Sequence, residues 1–268
     1  MSTWYRRTAT IEVGLRFGVP AVAAGCLAVL VSTGLSTTPA VWSPVSPWAV
    51  AAVVWAGQLW HIGRQTGRAE LGERPVRYLF GVANTLSLLR SGLYSVVAGL
   101  AVAAPTAMVV WLPGLCYGVG IVLDTLDGTV ARTVGQETAL GERLDMAVDT
   151  AGFVAAPVVA VCWGLLPPWY LLLSVARYAF LGARWLRRAR DLPVFERPDS
   201  DLGKYLAGVQ MVFLTAVLLP VVPTGLGWRL APIILAPSLA VFGRDILAIN
   251  GLYPPNCGTD AAGHSDDA

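Results

Sequence analysis

Long runs of apolar residues, separated by shorter polar or charged segments, set the pattern of this chain. Each run comes close to the ~20 apolar residues that a helix needs to cross a bilayer. Their bounds are 13–34, 46–62, 79–103, 106–123, 146–167, 169–186, 204–222 and 228–248, and the run 46–62 is the shortest. The pattern predicts an all-α, polytopic membrane protein.

The composition supports this class. The chain is 55% hydrophobic and only 13% charged, whereas soluble domains carry about 25% charged residues. Glu12 and Arg16 interrupt the N-terminal region, so we expect the first run to remain as an anchor rather than to be cleaved as a signal peptide. The net charge is only +2, and we therefore expect no nucleic-acid partner.

The placement of basic residues predicts the orientation in the membrane. They lie before the first run, between the second and third, and after the sixth, whereas the segments 35–47, 104–105 and 223–227 contain no Lys or Arg. By the positive-inside rule, both termini and the segment 124–149 face the cytoplasm. We expect a multi-pass protein of the plasma membrane. The basic residues concerned are Arg6, Arg7, Arg64, Arg68, Arg74, Arg77, Arg184, Arg187, Arg188 and Arg190.

Four segments follow from these patterns. Residues 1–62 form two accessory transmembrane helices, and residues 79–250 form a six-helix core. The mixed acidic and basic segment 63–78 is either an amphipathic helix on the cytoplasmic surface or a solvated loop. Residues 251–268 lack apolar periodicity and are expected to be a disordered cytoplasmic tail.

The candidate chemistry lies in a group of carboxylates at the end of the fourth run. Helical spacing places each subset on one face of its helix, and four facing carboxylates repel one another unless cations lie between them. Oxygen ligands of this kind suit Mg²⁺ or Mn²⁺. The spacing predicts a metal-dependent active site, with small residues making room for a ligand. The first subset is Asp124, Asp127, Gly128, Ala131 and Arg132; the second is Gly141, Asp145 and Asp149.

Two other interpretations of these acids are weighed against catalysis. Intramembrane carboxylates can hold helices together through a basic partner, here Arg132 or Arg143, or they can line a cation pathway. Helix pairing requires one or two acids with matching bases. A divalent-cation carrier would place acids near mid-membrane on several separated helices, and often has inverted repeats. The acids here gather at one cytoplasmic edge, which favours a catalytic site.

The same string resembles the signature of the CDP-alcohol phosphatidyltransferases, D-x2-D-G-x2-A-R-x8-G-x3-D-x3-D, at every fixed position. The resemblance extends over about residues 79–250. It implies an integral membrane enzyme that moves a phosphatidyl or similar group from a CDP-linked donor, CDP-diacylglycerol, to an alcohol and releases CMP. The alternative enzyme is an intramembrane prenyltransferase, which also binds Mg²⁺ through two Asp-rich motifs but lacks the Asp-Gly-x-x-Ala-Arg continuation.

The resemblance also assigns roles to the motif residues. It implies two Mg²⁺ or Mn²⁺ ions in each site, with Asp124, Asp127 and Asp145 as the main ligands and Asp149 as both a ligand and the base for the acceptor hydroxyl. Gly128, Ala131 and Gly141 would let the nucleotide approach the helices. Arg132 would either assist there or form a salt bridge with an aspartate. Family members form homodimers, and we expect the same of this chain.

A second polar group lies in the third run. Asn84, Ser87 and Arg90 share one face and resemble the family segment N-x-x-T-x-x-R, which lies beside the nucleotide, although Ser replaces Thr and Ala83 stands where Pro is usual. The resemblance implies that Asn84 and Ser87 contact the CDP donor. The alternative is polar contact between helices.

Three basic residues are candidates for binding a phosphate of the acceptor: Arg90, Arg177 and Lys204. Arg177 interrupts the sixth run, and a charge inside a span indicates function by default. It could also pair with an acid or reach the cytoplasmic interface. Lys204 follows Gly203, where the family often has a Gly-Lys pair near the acceptor pocket. If Arg177 and Lys204 both reach the pocket, a phosphorylated acceptor is favoured over serine or choline.

Overall fold

The computed structural model describes residues 45–69, 82–134, 139–193, 195 and 201–252, and within them the side chains outside 62–69, 82–85, 127–134 and 139–144. The described residues form α-helices and two short 3₁₀ helices, Val109–Trp111 and Pro168–Leu171, with no strand among them. The α-helices are α1 (Pro47–Ala69), α2 (Val82–Leu100), α3 (Leu112–Val134), α4 (Ala139–Cys162), α5 (Leu172–Ala189), α6 (Asp201–Leu218) and α7 (Thr224–Ile249).

Several of these helices have the length and composition of membrane spans. Among the described residues, four segments are long and apolar enough: Val109–Leu126, Asp145–Cys162, Asp201–Leu218 and Thr224–Ile249. The described side chains of α2 also contain an apolar stretch, Leu86–Leu100. The predicted all-α, polytopic membrane fold is confirmed, since a helix is the structure that satisfies its own backbone in lipid.

The predicted spans 46–62 and 79–103 coincide with α1 and α2. Both extend beyond the residues whose side chains are described, so their full lengths stay predictions. Helix α5 is not among the four candidate spans of the described residues. In α5 the reason is charge, because four arginines fall within its 18 residues. The predicted first span, 13–34, and the predicted tail from residue 253 onward lie outside the described residues. Helix α1 continues to Ala69 and so includes the first part of the predicted connecting segment 63–78.

Helix α2 lies at the centre of the packing. It packs against α1, α3 and α4, while α6 packs against α3 and α7, and α7 also packs against α5. One buried apolar cluster runs through α2–α7, with Tyr94, Val148 and Leu214 among its members. In the described part of the chain, six α-helices follow α1, and all of them lie within residues 79–250, the segment that the sequence predicts as the core.

Buried polar contacts tie the C-terminal helices together. The hydroxyl of Tyr170 donates to the amide oxygen of Gln210. The Gln210 amide nitrogen donates to Ser238 Oγ at 3.0 Å and to the carbonyl of Ile234 at 2.9 Å. Because polar groups away from water are costly unless they are paired, these bonds fix α6 against α7 and against the 3₁₀ helix Pro168–Leu171 before α5.

Candidate active site

Three carboxylates from two helices converge at one end of the helix bundle. Asp124 lies in α3, and Asp145 and Asp149 lie one turn apart in α4. One oxygen from each lies within 4.8 Å of the others. Their side chains are 33%, 44% and 26% exposed, so a ligand can reach them from outside. We call these three residues the acid cluster.

The other motif residues lie on the same helices. Asp127, Gly128, Ala131 and Arg132 are in the last turns of α3, and Gly141 is in the first turn of α4. Asn84 is in the first turn of α2. Their side chains lie outside the described part of the chain, so the predicted roles of these residues stay predictions.

The buried side chain of Arg90 joins the three acids. Its guanidinium forms an ion pair with Asp124 and lies 2.6 Å from Asp145 and 2.7 Å from Asp149, and the side chain is 0% exposed. Charge-assisted bonds of this kind are the strongest that side chains form. Arg90, predicted as a candidate for an acceptor phosphate, thus bonds the carboxylates. Its predicted role toward a phosphate stays a prediction.

Among the described side chains, three carboxylates face one guanidinium in the acid cluster. These described groups therefore carry an excess of acid. The donor atoms are all carboxylate oxygens, which is the chemistry that Mg²⁺ and Mn²⁺ prefer. The residues therefore fit divalent cations in type, charge and grouping.

A tyrosine ring separates the two helices that carry the acids. Tyr94, one turn after Arg90, is 2% exposed, and its ring lies between Gly120 of α3 and Gly152 of α4. A Cβ atom at Gly120 would lie 2.4 Å from this ring, and one at Gly152 would lie 2.7 Å from it. The ring thus sets the distance between α3 and α4 just behind Asp124 and Asp149. Tyr94 was not predicted from the sequence, although the two glycines lie about one helical turn from the acids.

We expect Gly152→Ala to lower the free energy of unfolding by about 1–3 kcal/mol, because the added methyl group collides with a ring that Gly120 confines on its other side. Thermal unfolding of the purified protein in detergent measures this loss. Gly182→Ala in α5 is the matched control, since a Cβ there meets nothing within 4 Å. Equal melting temperatures for the two variants would contradict the proposed spacing role of Tyr94.

The remaining candidates for substrate binding are Ser87, Arg177 and Lys204, and their contacts differ. Ser87 is buried on α2, on the same helix as Arg90. Arg177 donates to Thr150 Oγ1 at 3.3 Å, and its guanidinium lies 5.7 Å from the centre of the Phe153 ring, so it contacts the helix of Asp149. Lys204 is 85% exposed and pairs with Asp201 at 3.4 Å.

Lys204 also lines a groove of about 740 Å³ that is formed mainly by α6. Gly208, Val212 and Phe213 form part of its apolar wall, and Ile234 of α7 closes one side. Helices α3 and α6 are antiparallel, since Gly114 lies against Leu219 and Gly118 against Thr215. Lys204 therefore lies toward the same end of the bundle as the acid cluster.

Comparison with known proteins agrees with this geometry. The family model of the CDP-alcohol phosphatidyltransferases matches residues 80–242, which is more than half of the chain. Proteins named “Putative cardiolipin synthase” in Mycobacterium tuberculosis (strain H37Rv) and Mycobacterium bovis are 32% identical over 107 residues, which cover 37% of this chain and 51% of theirs. The chain thus spans about half the length of these curated relatives. With its membrane helices and its convergent acids, the chain belongs to the CDP-alcohol phosphatidyltransferase family.

Proposed function

We propose that this protein transfers a phosphatidyl group from CDP-diacylglycerol to the hydroxyl group of an acceptor and releases CMP. The observation that carries the proposal is the convergence of Asp124, Asp145 and Asp149 within 4.8 Å, at one end of helices that are apolar enough to span a membrane. The family match over residues 80–242 supports the reaction class. The proposal includes the fourth acid of the motif, Asp127.

Two divalent cations, Mg²⁺ or Mn²⁺, would be held among Asp124, Asp127, Asp145 and Asp149. When bound, they would neutralise charge on the donor pyrophosphate and on the departing CMP. The protein supplies the oxygen ligands from two helices, and Arg90 bonds three of these ligands. The Tyr94 ring keeps the helices at a fixed separation.

Asp149 is the proposed base. It is the last acid of the motif, it is the least exposed of the acid cluster at 26%, and its oxygen lies 2.7 Å from Arg90. A carboxylate is a weak base for an alcohol, so it must accept the proton as the oxygen attacks phosphorus. Gly128, Ala131 and Gly141 would let the nucleotide approach the helices, with Asn84, Ser87 and Arg132 beside it.

The acceptor is proposed from two considerations. Arg177 lies against the helix that carries Asp149, and Lys204 lies toward the same end of the bundle, so both could bind a phosphate of the acceptor. The name of the mycobacterial relatives, cardiolipin synthase, adds phosphatidylglycerol as a second candidate acceptor. Cardiolipin contains two phosphatidyl groups joined by glycerol, so making it by phosphatidyl transfer requires phosphatidylglycerol, itself a phosphodiester. Glycerol phosphate, inositol phosphate and phosphatidylglycerol are therefore the acceptors to compare.

In this proposal the acid cluster faces the cytoplasm of a plasma-membrane protein, where a water-soluble nucleotide head group arrives. The distribution of Lys and Arg along the sequence supports this orientation and cytoplasmic termini. A homodimer is proposed from the family resemblance.

The test is CMP release by the purified protein in detergent, with CDP-diacylglycerol, Mg²⁺ and one acceptor at a time. The panel contains the three phosphorylated acceptors, inositol and serine, with EDTA as the metal-free control. We expect CMP release that needs both Mg²⁺ and one acceptor. Pyrophosphate release from a prenyl donor instead would support a prenyltransferase, and Mn²⁺ uptake into vesicles without any CMP would support a carrier.

We expect Arg177→Ala and Lys204→Ala to raise the KM for the acceptor, Arg177→Ala by about tenfold or more, because each removes a charged phosphate ligand. Initial rates at varied acceptor concentration measure this, with the KM for the donor recorded in parallel. Arg188→Ala at the exposed end of α5 serves as the control. Unchanged acceptor KM values in both variants would remove these two residues from the acceptor site.

A further inference from the structure

We propose that helix α1, which precedes the family-matched residues, positions Arg90 in the acid cluster through the side chain of Gln58. The family match begins at residue 80, whereas α1 ends at Ala69. The inference rests on the proposed function in one respect, namely that the acid cluster binds divalent cations. It gives the accessory helix a role in the candidate site and makes Gln58 a positioning residue.

A closed set of hydrogen bonds connects α1 with α2. The hydroxyl of Ser91 donates to Gln58 Oε1 at 2.7 Å, and Gln58 Nε2 donates to Ser95 Oγ at 3.0 Å. Ser95 Oγ in turn donates to the carbonyl of Ser91 at 2.9 Å. Both serines are buried, so water does not replace these bonds. One amide therefore holds two successive turns of α2.

The hydrogen bonds of Gln58 lie next to Arg90 on α2. Ser91 follows Arg90 directly, and Arg90 bonds all three members of the acid cluster. Any rotation or sliding of α2 that separates Ser91 from Gln58 also moves the Cα atom of Arg90. Gln58 is the only amide or charged side chain in residues 47–60, and an amide inside an apolar helix pair is costly unless it is bonded. The alignment of α2 against α1 that lets Gln58 form these bonds is thus favoured over alignments shifted by one or more residues.

A second contact between the same helices lies at their other end. A Cβ atom on Gly99 would lie 2.4 Å from the carbonyl oxygen of Pro47 and 2.9 Å from the Cβ atom of Ala51. This close approach brings the start of α1 to the end of α2, so the two helices are antiparallel. It lies more than two helical turns from Arg90 along α2. Gly99 can therefore be changed to test the packing of the two helices, and Gln58 can be changed to test the positioning of Arg90.

The expected consequence concerns cation binding. Arg90 draws together acids from α3 and α4 that otherwise repel each other. If α2 shifts along α1, Arg90 no longer holds the acids at one fixed separation. Part of the free energy of cation binding is then spent on bringing the acids together again. Supporting contacts around metal ligands act in this way, by orienting the ligands.

The test is Mn²⁺ binding to the full-length protein in detergent without substrate, followed through the EPR signal of free Mn²⁺. We expect Gln58→Met, which keeps the length of the side chain, to weaken binding about three- to tenfold. Ser91→Ala should weaken it in the same direction. Because both changes break the same bond, the double variant should lose no more than the larger single loss. Gln58→Met with unchanged Mn²⁺ affinity overturns the proposal, and additive losses do so as well.

Gly99→Ala is the matched control, because it disturbs the same helix pair away from Arg90. It should lower the melting temperature and leave Mn²⁺ affinity unchanged. A loss of affinity equal to that of Gln58→Met would assign the effect to general packing and overturn the proposal. If Gln58→Met does not fold, Ser91→Ala decides alone by the same criterion.

The binding assay contains no CDP-linked donor, so it separates this inference from the proposed reaction. Weakened Mn²⁺ binding in the Gln58 variant, with no CMP released by the wild-type protein, would support the positioning role and contradict the reaction. A wild-type protein that binds no Mn²⁺ would contradict both.

Discussion

Replacing Asp149 with asparagine is expected to reduce CMP release by about 10²–10⁴-fold, the range that general bases contribute. The amide keeps the size of the side chain and one oxygen that can bond Arg90, so the helices should remain in place. The side chain can then no longer accept the proton of the acceptor hydroxyl. Steady-state turnover at saturating Mg²⁺ measures the loss, and Mn²⁺ binding and donor binding should largely survive.

Two comparisons make this prediction specific. Asp191→Asn is the matched control, because Asp191 is exposed after α5 in a left-handed conformation (φ 52°) that asparagine tolerates, and it should leave turnover unchanged. Asp124→Asn should weaken cation binding itself, and so should Asp127→Asn. Near-normal turnover in Asp149→Asn would show that the base is another group.

Replacing Arg90 with glutamine is expected to lower the free energy of unfolding by about 3 kcal/mol, the lower end of the range for removing one partner of a buried ion pair. The lower end applies because the three acids are partly exposed, whereas Arg90 is buried. Their like charges would then face each other within 4.8 Å. Thermal unfolding without divalent cations measures the loss, and turnover should fall with it.

The matched comparison for Arg90 is a change of shape at constant charge. Arg90→Lys keeps the positive charge, but one ammonium lacks the planar fork that bonds acids from two helices, so we expect an intermediate loss. Arg188→Gln repeats the substitution at an exposed position of α5 and should change little. An Arg90→Gln variant as stable as the wild-type protein would contradict the role of Arg90 in holding α3 and α4 together.

The sequence predicts those features that depend on local spacing. The lengths of the apolar runs predicted the helices. The four-residue interval between Asp145 and Asp149 predicted that both lie on one face of α4. The motif also predicted the family, and the match over residues 80–242 confirms that prediction. Such features follow from helical periodicity, which is a property of neighbouring residues.

Features that depend on how helices cross could not be predicted in the same way. Arg90 is 34 residues from Asp124 and 59 from Asp149, and no local pattern in the sequence predicts that it bonds these acids. The place of Tyr94 between Gly120 and Gly152 also depends on three helices at once. Helix α5 overlaps the predicted span 169–186 and continues to Ala189, so it carries four arginines in its 18 residues.

We propose that the acid cluster directs metal-dependent phosphatidyl transfer. The most direct test counts CMP and newly formed phospholipid in the same reaction, with the acceptor that supports CMP release, by nucleotide chromatography and lipid mass spectrometry. We expect one phospholipid for each CMP, no product with EDTA, and loss of both products in Asp149→Asn. CMP without new phospholipid would indicate hydrolysis of the donor, and phospholipid formed in the presence of EDTA would contradict the metal-dependent mechanism.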